Sequence, residues 1–332
     1  MPTFCRHNRL VQNCPICSRE QAVQMRPVVS SGGVRTTPAG TGSPPAPASR
    51  SRAKSTGGGR STAGLRVSRL ARGIDDGYRC ALAPGLRSSA DAQRLAQELA
   101  FATGRLTRLA NDPPGLYAVL AAGEDDVEER IWLAFLIAYL CPLDTEEPFA
   151  AIADAAASWS SDEPPALDAV RTGPRSAHDP SRGLATVAAY RAWAQRAGSQ
   201  AAAFIGEPAW TPERRFARVF ERLALPGFHR DARFDLLVSL GWTGVYELRA
   251  GSLQLGGENA VTVAAKRALG IGDSLLLERR AAELARACEL PLEALDLGLY
   301  NWERDERASL GLGREDAVDP QALARARAAL GL

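Results

Sequence analysis

Long uncharged apolar runs are missing from this 332-residue chain; the longest, residues 131–141, falls well short of the roughly 20 residues that cross a bilayer. No apolar signal-peptide core follows Met1, so the expected location is the cytoplasm, where thiols stay reduced. Also missing are G-x-x-x-x-G-K-[ST], G-x-S-x-G and a dinucleotide fingerprint, which argues against phosphate-loop, serine-hydrolase and Rossmann chemistry. Histidine is scarce, at three residues, and His178, beside Asp179 and Pro180, has no second imidazole near it in sequence, so metal catalysis is not expected there. Acid is nearly absent from the front of the chain. Residues 1–74 carry 12 Lys and Arg against one carboxylate, Glu20, while the remainder carries 28 against 37. The formal charge of +2 therefore hides a basic front and an acidic body. Arg50, Arg52, Lys54, Arg60, Arg66, Arg69 and Arg72 form an arm suited to salt-sensitive phosphate contacts, or equally to a solvated tail.

Three of the six cysteines lie in the first 17 residues. Cys5, His7, Cys14 and Cys17 supply three thiolates and an imidazole at C-x-H…C-x-x-C spacing, a complete tetrahedral set for structural Zn2+. Residues 1–24 are thus expected to be a zinc-binding segment that touches DNA or a protein partner. Residues 25–64, rich in Gly, Pro, Ser, Thr and Ala, are expected to be a disordered basic linker, because they offer too little apolar area to offset chain entropy. Cys80, Cys141 and Cys288 are dispersed and fit core positions.

From residue 65 to 332 the apolar content suffices for a large core. A β-hairpin is suggested by residues 65–70 and 78–82 around Asp75, Asp76 and Gly77. After Ser88 the periodicity predicts helices over 89–109, 125–141, 146–159, 184–197, 211–223, 230–240, 258–269, 274–288, 292–301 and 320–330. The body is expected to be all-α.

The most informative stretch joins the helices over 211–223 and 230–240. Phe216, Val219, Phe220 and Leu223 share one face of the first, which opens with Thr211 as N-cap and Pro212 at the first helical position. Pro226 and Gly227 stop it, and the second helix starts near Arg230. Such a turn leaves the N–H groups of Gly227, Phe228 and His229 at a helix N-terminus, where phosphate oxygen is favoured, although Leu-Pro-Gly is also an ordinary corner. Lys266 and Arg267 suit phosphate contacts or a solvated helix face. Glu128, Glu129 and Trp132 fit a pocket lining, but Trp132, Phe135 and Tyr139 at helical spacing fit a core as well.

Four stretches, residues 128–139, 178–180, 224–237 and 264–273, are similar to the bacterial family of alpha-glutamyl/putrescinyl thymine pyrophosphorylase clade 3 proteins, relatives of the helix-hairpin-helix DNA glycosylases. The similarity spans most of 65–310, and the zinc segment looks like one found on actinobacterial members. It implies a helix-hairpin-helix DNA glycosylase-like bundle acting on modified pyrimidines, those of phage DNA included, as a defence. The alternatives are a non-catalytic DNA-binding scaffold and a thymine pyrophosphorylase-like enzyme. In this superfamily the hairpin holds the backbone while a flipped base is excised with help from a downstream carboxylate. Members with lyase activity carry Lys where this chain has Asp231, so the resemblance implies excision without strand cleavage. The carboxylate position best matches Glu258, three residues before Val261, with a longer preceding loop and Glu in place of Asp. Asp273 and Asp296 are the other catalytic candidates, and helix capping or packing explains them equally well.

Overall fold

In the computed structural model the described residues are 73–123, 126–161, 163–304, 306–312 and 318–332. The chain divides at residue 64, and all described residues belong to the C-terminal unit, Leu65–Leu332. The zinc ligands Cys5, His7, Cys14 and Cys17, the linker and the basic arm lie outside the described residues.

Among the described residues there are twelve helices and no strand. They are α1 (Ser89–Asn111), α2 (Leu116–Ala122), α3 (Val127–Leu140), α4 (Ala150–Ala155), α5 (Gly183–Arg196), α6 (Gln200–Ile205), α7 (Pro212–Arg222), α8 (Arg230–Trp242), α9 (Ala260–Leu269), α10 (Ser274–Ala287), α11 (Leu292–Trp302) and α12 (Pro320–Leu330). The all-α expectation is met. None of these helices is long and apolar enough to cross a membrane.

Three helices carry the core. α3 is buried from Ile131 to Leu140 except at Leu133, and α11 is buried over residues 293–302. α8 is buried at ten of its thirteen positions. α1 packs along α11 and α12, α3 packs on α8, and α9 packs on α11. The approach of α1 to α11 depends on Gly298, where a Cβ would sit 2.7 Å from the Leu99 side chain. Burial on this scale supplies the main stabilising term, at about 25 cal/mol per Å² of apolar surface.

Differences from the sequence expectation have local causes. Residues 78–82 form no strand, and 65–70, the other half of the expected hairpin, lies outside the described residues. The Tyr78 N–H instead donates to Asp76, which also accepts from Ser89, and the Cys80 thiol faces the Ala329 carbonyl. The helix expected over 146–159 shrinks to α4, because Glu129 accepts the N–H groups of Trp159 and Ser160 and the Ser158 hydroxyl, holding that segment out of helical geometry. Two helices were not anticipated, α2 and α6. The N–H groups of Gln200 and Ala201 at the start of α6 donate to the Glu128 carboxylate, 72 and 73 residues away.

Candidate nucleic-acid interface

The α7–α8 connection is built as its residues dictate. The Thr211 hydroxyl accepts the Arg214 N–H at 3.3 Å, and Pro212 occupies the first turn of α7. Phe216, Val219 and Phe220 point inward, while Arg214, Arg218, Glu221 and Arg222 are exposed. Beyond Leu223 the chain makes a tight turn in which the Phe228 N–H donates to the Leu225 carbonyl at 3.1 Å. Gly227 takes φ +77°, as the third residue of a Pro-Gly type II turn requires. A Cβ there would lie 2.2 Å from Thr186 Oγ1 on α5. Phe228 is buried, its ring 5.2 Å from Phe135 and 6.4 Å from Tyr139 on α3.

The turn is therefore clamped on two helices. His229 follows as the α8 N-cap; it is exposed and its imidazole makes no capping bond. The first helical hydrogen bond of α8 runs from the Arg233 N–H to the His229 carbonyl, so the N–H groups of Arg230, Asp231 and Ala232 precede it. Of the three N–H groups expected to face a phosphate, that of Phe228 is spent inside the turn. Those of Gly227 and His229 find no partner among the described residues.

Arg230 is not part of that surface. It is buried, and its guanidinium pairs with Asp296, with Asp231 at 3.1 Å and with the Leu253 carbonyl. This corrects its expected role as a DNA contact: the burial of α8 turns its side chain inward. Arg175, in the loop before α5, completes the group. It grips Asp235 with two bonds of 2.7 and 3.0 Å, reaches Asp296 Oδ1 at 2.8 Å and lies over the Tyr300 ring at 4.5 Å. Burial opposes ionisation of Asp231, but Arg175 and Arg230 outweigh it and hold that carboxyl below its ordinary range. Burial pushes the Tyr300 phenol up to about 12, despite the opposing pull of Arg175, and its OH donates to the Pro174 carbonyl at 2.6 Å. The network ties the N-terminal turn of α8 to α11 and to the 174–178 loop.

The three carboxylate candidates separate. The Asp296 side chain is 2% exposed and paired with two arginines, which fits the packing role that the sequence offered beside the catalytic one. Asp273 is the N-cap of α10, accepting the N–H groups of Leu275 and Leu276 at 3.0 and 2.9 Å. Glu258 is exposed just before the Asn259 N-cap of α9 and makes no hydrogen bond to a described residue. Lys266 and Arg267 are exposed near the end of α9, and Arg267 pairs with Glu303. Glu129 and Trp132, two of the three expected pocket-lining residues, line a cleft of about 340 Å³ beside α3, and the carboxylates of Glu128 and Glu129 accept backbone N–H groups.

Three of the four resemblance stretches meet at the turn: Gly227 and Phe228, the α3 face, and the 178–180 loop, where His178 Nδ1 lies 3.2 Å from the Tyr139 hydroxyl. Burial lowers the His178 pKa, favouring the neutral ring. Residues that sequence reasoning missed are Arg175, Thr186 and Asp235. Only Asp235, a carboxylate amid Phe234, Leu236 and Leu237, carried a warning in the sequence. A cleft of about 600 Å³ beside α7, lined by Arg215, Tyr246 and Arg249, contains none of the predicted site residues. Its arginines are spent on the Ile205, Glu247 and Gly241 carbonyls. Among the described residues no group of three or more His, Cys, Asp or Glu is arranged to hold a metal. Comparisons with protein-family models, curated proteins and solved structures find no match, so what this surface does must be read from its residues.

Proposed function

We propose that the chain binds DNA through a helix-hairpin-helix formed by α7 and α8, with the backbone phosphate seated at the α8 N-terminus. The observation that carries this reading is the doubly clamped turn. Gly227 against Thr186 and Phe228 against α3 fix an uncapped helix N-terminus at the surface, with exposed His229 at its mouth. Because His229 leaves the first N–H groups of α8 without a side-chain cap, a phosphate oxygen can take them. Arg214, Arg218 and Arg222 are exposed on α7 and add positive charge to the hairpin. The described body is rich in acid, so the basic arm of residues 50–72 supplies the remaining phosphate contacts in this reading. The Cys5, His7, Cys14 and Cys17 set fits structural Zn2+ by its donor chemistry and would order the front segment for DNA or a protein partner.

A base-processing role on modified pyrimidines, phage DNA included, goes with this binding. It is favoured by Glu258, the one exposed candidate carboxylate not committed to a cap or an ion pair within the described residues. There it would stabilise positive charge on the sugar and orient water. Asp231 lies half-buried beside Arg230 and offers no amine for a Schiff base, in keeping with hydrolysis without strand cleavage. Purified full-length protein incubated with DNA bearing hydroxymethylated or glucosylated pyrimidines should release free base and leave alkali-labile sites. Salt-dependent binding with neither product identifies a non-catalytic DNA-binding protein.

A further inference from the structure

Both clamps on the α7–α8 turn pass through neighbours of His178. Its Nδ1 lies 3.2 Å from the Tyr139 hydroxyl, and the two rings meet edge to face at 5.5 Å. Tyr139 in turn packs on Phe228, the second residue of the clamp. The His178 ring also lies against Gly183, the first residue of α5, where a Cβ would stand 2.8 Å from Cε1 and 3.1 Å from Nδ1. Thr186, whose hydroxyl meets Gly227, follows three residues later on the same face of α5. The first turn of α5 is thus held at Gly183 by the imidazole and presses on the α7–α8 turn at Thr186. The Thr186 hydroxyl and the Asp179 N–H also face the Tyr139 phenol, so His178, Tyr139 and Thr186 form one connected support under Gly227 and Phe228.

This support accepts the imidazole as a neutral ring. Nε2 is buried and makes no hydrogen bond among the described residues. Protonation puts a charge there, at a position where burial leaves it uncompensated. The charged and titratable groups that face the ring are Asp179 in its own loop, with Arg182 beside that carboxylate, and Tyr139 from α3. Asp179 and the Leu167 carbonyl favour the charged form, but burial outweighs both. Asp179 is itself exposed and spends Oδ1 on the N–H and hydroxyl of Ser181. Burial raises the Tyr139 phenol, which stays protonated where histidine titrates.

We propose that His178 is a positioning residue for the phosphate-binding turn: its neutral ring holds Thr186 and Tyr139 against Gly227 and Phe228, and uptake of a proton releases the turn and weakens DNA binding. The proposal rests on the DNA-binding reading of α7 and α8. Its sign is distinctive. A cation gained close to DNA ordinarily strengthens binding as pH falls, whereas here affinity declines.

The test uses full-length His229→Gln protein, in which His178 is the imidazole that remains at the turn. Its affinity for duplex DNA is measured from pH 8 to pH 5 at constant ionic strength. Affinity should fall by about threefold or more as pH drops, and adding His178→Asn, which keeps a polar side chain near Tyr139 but cannot titrate, should abolish that fall. Wild type without DNA supplies a second measure that needs no variant to fold. The chain has three histidines, so their imidazole resonances can be followed by NMR, and the Gly227 and Phe228 amides should shift with the His178 midpoint, below the ordinary value. The same pH profile of affinity with and without the His178 imidazole, or turn amides that ignore its titration, overturns the positioning role and leaves the DNA-binding reading standing. Failure of wild type to bind DNA at any pH removes that reading and the proposal together.

Discussion

Replacing Gly227 by Ala probes the turn at its tightest point. Two costs arise from the structure. At φ +77° an L-residue is strained by about 1–2 kcal/mol relative to glycine. The added Cβ would stand 2.2 Å from Thr186 Oγ1, an overlap that must move α5 or the turn, at about 1–3 kcal/mol. Reduced freedom of the unfolded chain returns about 0.4–1 kcal/mol. The net loss is about 1–4.5 kcal/mol, readable as a shift of the urea midpoint at constant slope. Removing the hydroxyl separates the two terms. Once Thr186→Ala is combined with Gly227→Ala, the nearest atom to the new methyl is the residue 186 Cβ at 3.4 Å, an ordinary contact. The double variant should therefore regain the overlap cost and keep only the backbone strain. A coupling of about 1–3 kcal/mol is expected from the mutant cycle. A Gly227→Ala protein as stable as wild type, or additive effects of the two changes, refutes the clamp.

Other expectations concern the network and the flanking groups. Asp296→Asn removes the carboxylate shared by Arg175 and Arg230, which keep Asp235 and Asp231 as partners, and should cost about 1–3 kcal/mol, whereas exposed Glu258→Gln should stay within about 0.5 kcal/mol of wild type in stability while abolishing any base release. Burial lowers the folded pKa of His178, so stability is full above the ordinary histidine value near 6.5 and declines as pH falls through it toward the folded value. His178→Gln should flatten that decline in a urea-midpoint series, and an unchanged profile would place the effect elsewhere. Below about pH 4 a separate loss is expected as Asp231, held ionised by Arg175 and Arg230, takes up a proton. The Cys14→Ser, Cys17→Ser variant should lose one equivalent of zinc by elemental analysis without lowering the main unfolding midpoint; unchanged zinc content would defeat the assignment.

Local rules made much of the helical frame legible. Thr211 with Pro212 announced α7, Pro226 and Gly227 the turn, and Asp273 its capping role. What escaped was set by distant partners. α6 spans six residues, too few for a periodic face, and its N-terminus is held both by the Ser199 cap and by Glu128 across 72 residues. α4 ended early because Glu129 claimed the backbone beyond it. Asp296 and Arg230 looked like functional surface residues because their ion pairs reach across 121 residues to Arg175 and 66 residues to each other. A charged residue on a periodic helix does not disclose whether a partner waits on another element. For the same reason nothing in the sequence marked Thr186, which earns its place only by the backbone of Gly227 pressing against it.

The central claim is that a DNA phosphate sits at the α8 N-terminus, and His229→Glu tests it most directly. His229 is exposed and makes no capping bond, so the fold should survive, while a carboxylate at that mouth repels the phosphate. Equilibrium binding of full-length wild type and variant to duplex DNA should be measured across a salt series. Affinity for wild type should fall with salt, and the variant should bind about tenfold more weakly with a slope reduced by about one. Equal affinities and slopes for the two proteins, or no DNA binding by either, would contradict the account.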